Sequence, residues 1–479
     1  MTDSGIYSFF ERLHPINGVL DPALHTPEFV RPRSALLFTW ILAITAQFDP
    51  TAGSLSKRLR LHGEKLSKHV HACGYKSVDI AQGYYLSLLC AVPSSTLSED
   101  HSWPYTTYAF SMISDLALNP DQADHQTSPG PGHGDPNWSS AQHEARLVRN
   151  RERTWYRLML WERAHSAARG CVTPFPENNL TEHVESWWQH PLSDPTDRYT
   201  CAFVLLRRHL AHLHQEVKIR LGRPNNRRHW VRDLVDSQLE PWKATWLASS
   251  GRNVGPVAEQ MRNVFLRYVY MHGRLWTLSF ALHDGSNTAS DAEATTEDCF
   301  EASVNCCETT IRDLREIGEP MYCMMTATWA MGSYAAVLAL KLFPRLYGSR
   351  PGQEVELLAL LSELALQLEK AGTTPSHRFG IAALLGQHLL HILRRKLRAL
   401  GGVTPVRQQA AEAAGEPFMN LDTGQIPVTD GGLGQNDLVF DTMSPLPFMG
   451  LSPGAEDAAN QAFSGMMREW CAPWFEIPV

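Results

Sequence analysis

The chain has 479 residues, 43% of them hydrophobic, which is ample for a sizeable core. Its formal charge of −7, from 43 basic and 50 acidic side chains, argues against a free-standing basic nucleic-acid binder. The charge is uneven: from Gly401 onward ten acidic residues face only Arg407 and Arg468, a net of −8, which leaves about +1 for residues 1–400.

In chain order, MTDSGIYSFFERLHP has no basic stretch followed by an apolar one, so no secretory signal is expected. An extended segment then leads to a first buried helix over Arg33–Phe48. The apolar run inside it, 34–48, is shorter than the ~20 residues a bilayer span needs, so no membrane role is expected. Helical periodicity recurs and strand signals are scarce, which makes the fold class all-α. Further helices are predicted at Ser56–Cys73, Val78–Cys90, Trp103–Leu118, Ala141–Arg169, Thr196–Leu221, Trp230–Trp246, Pro256–His283, Thr296–Ile317, Met321–Leu342, Glu354–Ala371 and Ser376–Leu400. Ser77 stands where an N-cap would, and Thr296 opens a helix after the polar linker DGSNTASDAEA.

Two breaks divide this pattern. Residues 120–140, rich in Pro, Gly and Asp, read as a flexible insertion within a helical domain spanning 1–400. Residues 401–479 hold no lysine and no sustained helical period, and read as a disordered acidic and aromatic tail.

The nine cysteines, at 73, 90, 171, 201, 299, 306, 307, 323 and 471, form no C-x-x-C pair; this is the usage of reduced intracellular thiols. Candidate chemistry fails on detail. Gly450-Leu451-Ser452-Pro453-Gly454 matches G-x-S-x-G, but Pro453 lacks the N–H an oxyanion hole takes from that position. Ser54 to Lys57 matches S-x-x-K without its companion motifs, and a serine cap before a basic amphipathic helix explains it better. Asp233 and Asp236 share a helical face but have no second acidic motif, so a solvated face is expected rather than a magnesium site. His209, His212 and His214, and the pair His388 and His391, lack further ligands for zinc. Adjacent Cys306 and Cys307 point about 100° apart on a helix and cannot chelate together. No catalytic, cofactor-binding or metal-ligating residue is assigned, and no enzyme activity is expected.

The stretch RNRERTWYRLMLWERAHSAARG (149–170) mixes arginines with aromatics, as a DNA-contacting arm would. On a wheel of about 100° per residue, however, Trp155, Leu158 and Met159 form an apolar stripe with Glu162 near its middle. A carboxylate there must be paired, because an isolated buried charge costs several kcal/mol. Arg163, Arg169 or a base from another helix could serve. Little of this helix beyond Arg153 is expected to face solvent, which makes it an interior helix.

The same residues resemble the middle homology region of fungal zinc-cluster transcription factors. The matching positions are Arg149, Arg151 and Arg153, then Trp155-Tyr156, Glu162-Arg163, and the small-residue run ending in Gly170. After that glycine the family usually has Arg-Pro; this chain has Cys171-Val172-Thr173-Pro174. FFERLHPINGVLDPALHTPEFVRPRSALLFTWILAITAQFDP, SVDIAQGYYLSLLC, WPYTTYAFSMISDLALN (with Ala117 for the family's glycine) and YVYMHGRLWTLSFAL are similar to other parts of the region. The resemblance covers roughly residues 5–400. It implies a nuclear transcriptional regulator whose all-α regulatory domain mediates regulation, dimerisation or effector response. The scattered cysteines cannot form the family's six-cysteine zinc module, so DNA is expected to be reached indirectly or through such a module elsewhere.

In the tail, Asp437, Leu438, Phe440, Asp441 and Phe448, and then Trp470, Trp474 and Phe475, interleave carboxylates with aromatics as acidic activation segments do; other transcription factors or coactivators are the expected partners, with a homo- or heterodimer as the expected assembly. The basic cluster Arg394-Arg395-Lys396-Leu397-Arg398 fits nuclear import or a helix C-terminus equally well. The rival readings are a cytosolic helical scaffold and an all-α enzyme.

Overall fold

The structure, a computed structural model, describes residues 2–90, 102–118, 139–168, 179–221, 230–247, 256–283, 289–318, 324, 326–348, 350–375 and 380–401. Among the described residues all regular secondary structure is helical, without strands, as the periodicity predicts. The tail residues 437–475, Gly170 and Ser452 lie outside them.

The N-terminal half runs α1 (Thr2–Arg12), α2 (His14–Asn17), α3 (Pro27–Arg33), α4 (Ala35–Thr45), α5 (Gly53–Cys73), α6 (Val78–Leu89), α7 (Ser102–Leu118) and α8 (Ser140–Ala168). Helix α4 is its hub. Ser34 Oγ caps it by accepting from Leu37 N at 3.1 Å, and its apolar sides meet α1, α5 and α6. Trp40 of α4 lies flat against Gly63 of α5, where an added Cβ would sit 2.8 Å from the indole. Glycine at 63 is what lets the two axes approach. The Trp40 N–H donates to Ser67 Oγ at 3.3 Å on the same face of α5. Gly74, at φ +67°, ends α5 in the left-handed conformation that favours glycine.

After short α9 (Asn179–Glu182) and α10 (Val184–Trp187), the C-terminal half runs α11 (Pro195–Leu221), α12 (Trp230–Trp246), α13 (Val257–Ser279), α14 (Ala289–Ile317), α15 (Thr326–Tyr347), α16 (Pro351–Gly372) and α17 (Ile381–Gly401). Helices α16 and α17 form a tight antiparallel pair that packs on α14 and α15. Helix α8 joins the halves, packing on α6 and α7 on one side and on α11 and α15 on the other; α2 reaches across to α11 and α13. Buried side chains from both halves make one continuous apolar core.

Several expectations are corrected. The N-terminal segment is not extended but forms three helices. Ile6 and Phe9, one turn apart, bury against α4, and Thr26 Oγ1 caps α3 by accepting from Phe29 N, with Pro27 at the first helical position. Ser54 does not cap α5; the helix begins at Gly53 behind Ala52, without a side-chain cap. Helix α14 begins at Ala289 instead of Thr296, whose hydroxyl donates back to Ala292 O at 2.7 Å from inside the helix. Helix α15 continues past Leu342 through Pro344, near its end, to Tyr347, whose ring packs edge-on to Phe300 of α14. Ser77 caps α6 as expected, accepting from Ile80 N at 3.1 Å.

Candidate functional site

Helix α8 carries Arg146, Arg149, Arg153 and Arg157 three or four residues apart, so all four project from one side. That side faces protein. Arg149, Arg153 and Arg157 are buried, Arg153 completely. The opposing carboxylates come from distant sequence. Asp197, at the start of α11, takes two parallel bonds from Arg153, Nε to Oδ1 at 2.6 Å and Nη2 to Oδ2 at 2.8 Å. Arg149 Nη2 also reaches Asp197 at 3.3 Å, Ser193 Oγ at 2.8 Å and the Trp187 carbonyl at 3.1 Å, and its guanidinium lies 4.2 Å from the Trp187 ring centre. Asp21, between α2 and α3, bridges Arg146 at 3.2 Å and Arg153 at 3.5 Å. Burial works against the Arg153 charge, but the Asp197 carboxylate outweighs it and raises the pKa.

Arg157 answers the same problem differently. Its Nη1 donates to the Ile16 carbonyl at 2.9 Å, and burial lowers its pKa. Gly18 makes room: a Cβ at this φ +23° position would collide with the Thr196 hydroxyl and the Arg157 guanidinium. Asp194 prepares the start of α11 by accepting from Thr196 N at 2.8 Å, and His14 Nε2 lies 3.1 Å from it. Although burial opposes ionisation, these partners hold the Asp194 carboxyl well below the usual range. Behind the arginines, Gln82 of α6 reaches Asn150 Oδ1 at 2.8 Å, Thr154 Oγ1 at 2.9 Å and His25 Nε2 at 3.1 Å. The result is a buried polar ladder tying α2, α6, α8 and α11 together.

The lower half of α8 follows the wheel. Trp155, Tyr156, Leu158, Met159 and Trp161 are buried, and the Trp155 N–H donates to Ser114 at 3.1 Å. Glu162 is fully buried, with Arg163 Nη1 at 3.2 Å. Half-buried Arg207 of α11 stands within electrostatic reach: burial, and then the like charge of Arg163, pulls its pKa down to about 10, against the pull of Glu162. The helix is interior, but Arg153 is not its solvent-facing residue; Arg151 is only half-buried. Sequence reasoning missed Asp21, Asp194, Asp197 and Arg157. The four-residue arginine spacing and the helix-start pattern Asp194-Pro195-Thr196-Asp197 were the available signals.

The other candidates separate. Asp233 is exposed, whereas Asp236 is half-exposed and paired, with Arg274 of α13 donating at 2.6 and 2.8 Å. The expected solvated face holds at Asp233, while Asp236 forms a helix-to-helix clasp. His209 and His212 are exposed; His214 bonds Thr277 Oγ1 at 3.0 Å and meets Trp276 edge-on. Burial lowers the His388 pKa to about 4, and Cys306 and Cys307 are buried thiols pushed upward by desolvation. No group of three or more His, Cys, Asp or Glu among the described residues could hold a metal ion.

An open cleft of about 760 Å³ lies between α12, α13 and α14. Its rim is crossed by the Asp236–Arg274 pair and by Arg232, which reaches Asp298 of α14 at 2.6 Å; Lys243 bonds Glu240 at 2.9 Å. The charges lining the cleft therefore largely satisfy one another.

Against known proteins, the chain is 26% identical over 337 residues to protein priB of Lentinula edodes. That stretch is 70% of this chain but 53% of priB, so the chain spans about half the length of the curated relative it matches. This distant similarity points to a fungal transcription-regulator family. No family model matches the chain. No solved structure matches it. No helix of the described residues is long and apolar enough to cross a membrane.

Proposed function

We propose that this chain is a fungal transcription regulator that works in the nucleus through its helical body. The observation that carries the reading is the 337-residue similarity to priB, a zinc-cluster transcription factor rather than an enzyme. The buried ladder on α8 supports it from another direction. The arginines that resemble the zinc-cluster middle region serve packing, so they belong to a regulatory body rather than to a DNA reader. Sequence-specific DNA reading is assigned to a zinc-cluster module outside these 479 residues, on a longer form of the protein or on a dimer partner. Residues 401–479 act as the activation segment, with Phe440, Phe448, Trp470, Trp474 and Phe475 as coactivator anchors held in solution by neighbouring carboxylates.

The test pairs a fluorescent tag on the full chain with transcript profiling after gene deletion in the source fungus. Nuclear accumulation and a defined set of altered transcripts are expected. Nuclear exclusion with unchanged transcripts would return the protein to the scaffold reading. Fusing residues 401–479 to a heterologous DNA-binding domain tests the tail separately: reporter activation is expected, and a silent reporter removes the activation role.

A further inference from the structure

Helix α5 is another strongly basic helix of the body, and its cations are arranged in the opposite way to those of α8. At about 100° per residue, Lys57, Arg58, His62, Lys65, Lys68 and His69 all fall within an arc of about 140°. All six are exposed. The acid of the helix, Glu64, sits at the edge of this arc and is taken by Arg60 at 2.6 Å. Among the described residues no carboxylate pairs with Lys57, Arg58, Lys65 or Lys68. The far side of the helix, with Gly63, Ser67 and Val70, is committed to the core against Trp40.

We propose that this outward face of α5 docks on the phosphate backbone of duplex DNA, without regard to base sequence. From Lys57 to Lys68 the helix rises about 16 Å, long enough for its cations to reach several phosphates of a duplex. The neutral whole-body charge hides the patch, because the balancing acids lie elsewhere; a local face, not the net charge, is what a duplex meets.

Two other polyanions fit less well. An amphipathic helix binds an anionic membrane by burying its apolar side in the lipid, and here that side is already spent on α4. An acidic-aromatic peptide needs an apolar groove for its rings, and this face offers only exposed Leu61 beside its charges. The choice of DNA rests on the transcription-regulator reading; the exposed cation face that would meet phosphates rests on the helix itself. The face would add sequence-independent affinity and leave specificity to a zinc-cluster module.

The experiment titrates the full chain into a short fluorescent duplex of arbitrary sequence and reads anisotropy. Binding is expected to weaken about 100-fold between about 50 and about 200 mM salt, a log–log slope of roughly −3 to −4 for four phosphate contacts. Reversing the face (Lys57→Glu, Arg58→Glu, Lys65→Glu, Lys68→Glu) should lower affinity at least about tenfold with unchanged circular dichroism and melting. The charge-keeping set Lys57→Arg, Lys65→Arg, Lys68→Arg should bind like the parent. If the reversed chain folds poorly, Lys65→Gln with Lys68→Gln should reduce the salt slope by about 2. The proposal is overturned if these variants bind as the parent does. It is equally overturned if the chain ignores duplex while α5 captures phosphatidylserine vesicles or a synthetic 437–451 peptide. Neither failure would alter nuclear accumulation or transcript changes, so the two readings fail separately.

Discussion

Helices α5 and α8 are both rich in cations, yet one carries them into the core and the other displays them. On α8 the arginines face Asp21 and Asp197, and Arg153 reaches zero exposure. On α5 no described carboxylate pairs with the exposed lysines, while glycine and serine face inward. Residue type follows geometry. A buried cation needs the planar fork of arginine to satisfy a carboxylate with parallel bonds, whereas an exposed phosphate-facing cation can be lysine. Counting basic residues could not distinguish the two helices; their partners do.

The largest expected effect probes the buried side of this contrast. Arg153→Ala leaves Asp197 without its bidentate partner and should destabilise the protein by about 3–5 kcal/mol in urea unfolding. Arg153→Lys, which cannot reproduce the fork, should fall between. Glu162→Ala comes next, with a loss of about 2–4 kcal/mol, because Arg163 and Arg207 would face each other across an emptied site. A mutant that melted like the parent would remove the paired-carboxylate account of that position. Asp236→Asn should cost about 1 kcal/mol or less: its pair with Arg274 is partly open to solvent and screened. The smallest change is expected on α5, where each single lysine substitution should move stability by less than about 0.5 kcal/mol.

Acid sensitivity sharpens the same contrast, since buried groups titrate abnormally. Burial holds the pKa of His272 and of His388 down at about 4, below the 6.5 of an exposed imidazole. The unfolded chain therefore binds these protons first. The stability gained from keeping both rings neutral is complete above pH 6.5 and is lost as pH falls toward 4. Asp194, also held low, extends the loss below that window. A urea midpoint that falls steadily from pH 7 to pH 4, less so in His272→Gln, is the expected result.

Much of the helical frame was legible, because 3.6-residue periodicity, Ser77 and the glycines are local signals. The burial of Glu162 was legible too, since Trp155, Leu158 and Met159 surround it on its own helix. Arg153 was misread for the complementary reason. Its partners lie 44 residues ahead in Asp197 and far behind in Asp21, and no local pattern reports a carboxylate that tertiary packing delivers. The N-terminal helices were missed because α1 through α3 are short and interrupted by Pro15, Gly18 and Pro27, so their stability comes from docking, α1 and α3 on α4 and α2 on α11 and α13, rather than from propensity. Asp236 was half-read: its exposure was anticipated, but Arg274 on the next helix was not.

The most direct test of the central claim is the urea unfolding midpoint of Arg153→Ala, measured beside its affinity for an arbitrary duplex. The account predicts a large drop in the midpoint, with duplex affinity retained under conditions where the variant is still folded. An unchanged midpoint with weakened duplex binding would contradict it, and would return the α8 arginines to the role of a DNA-contacting arm.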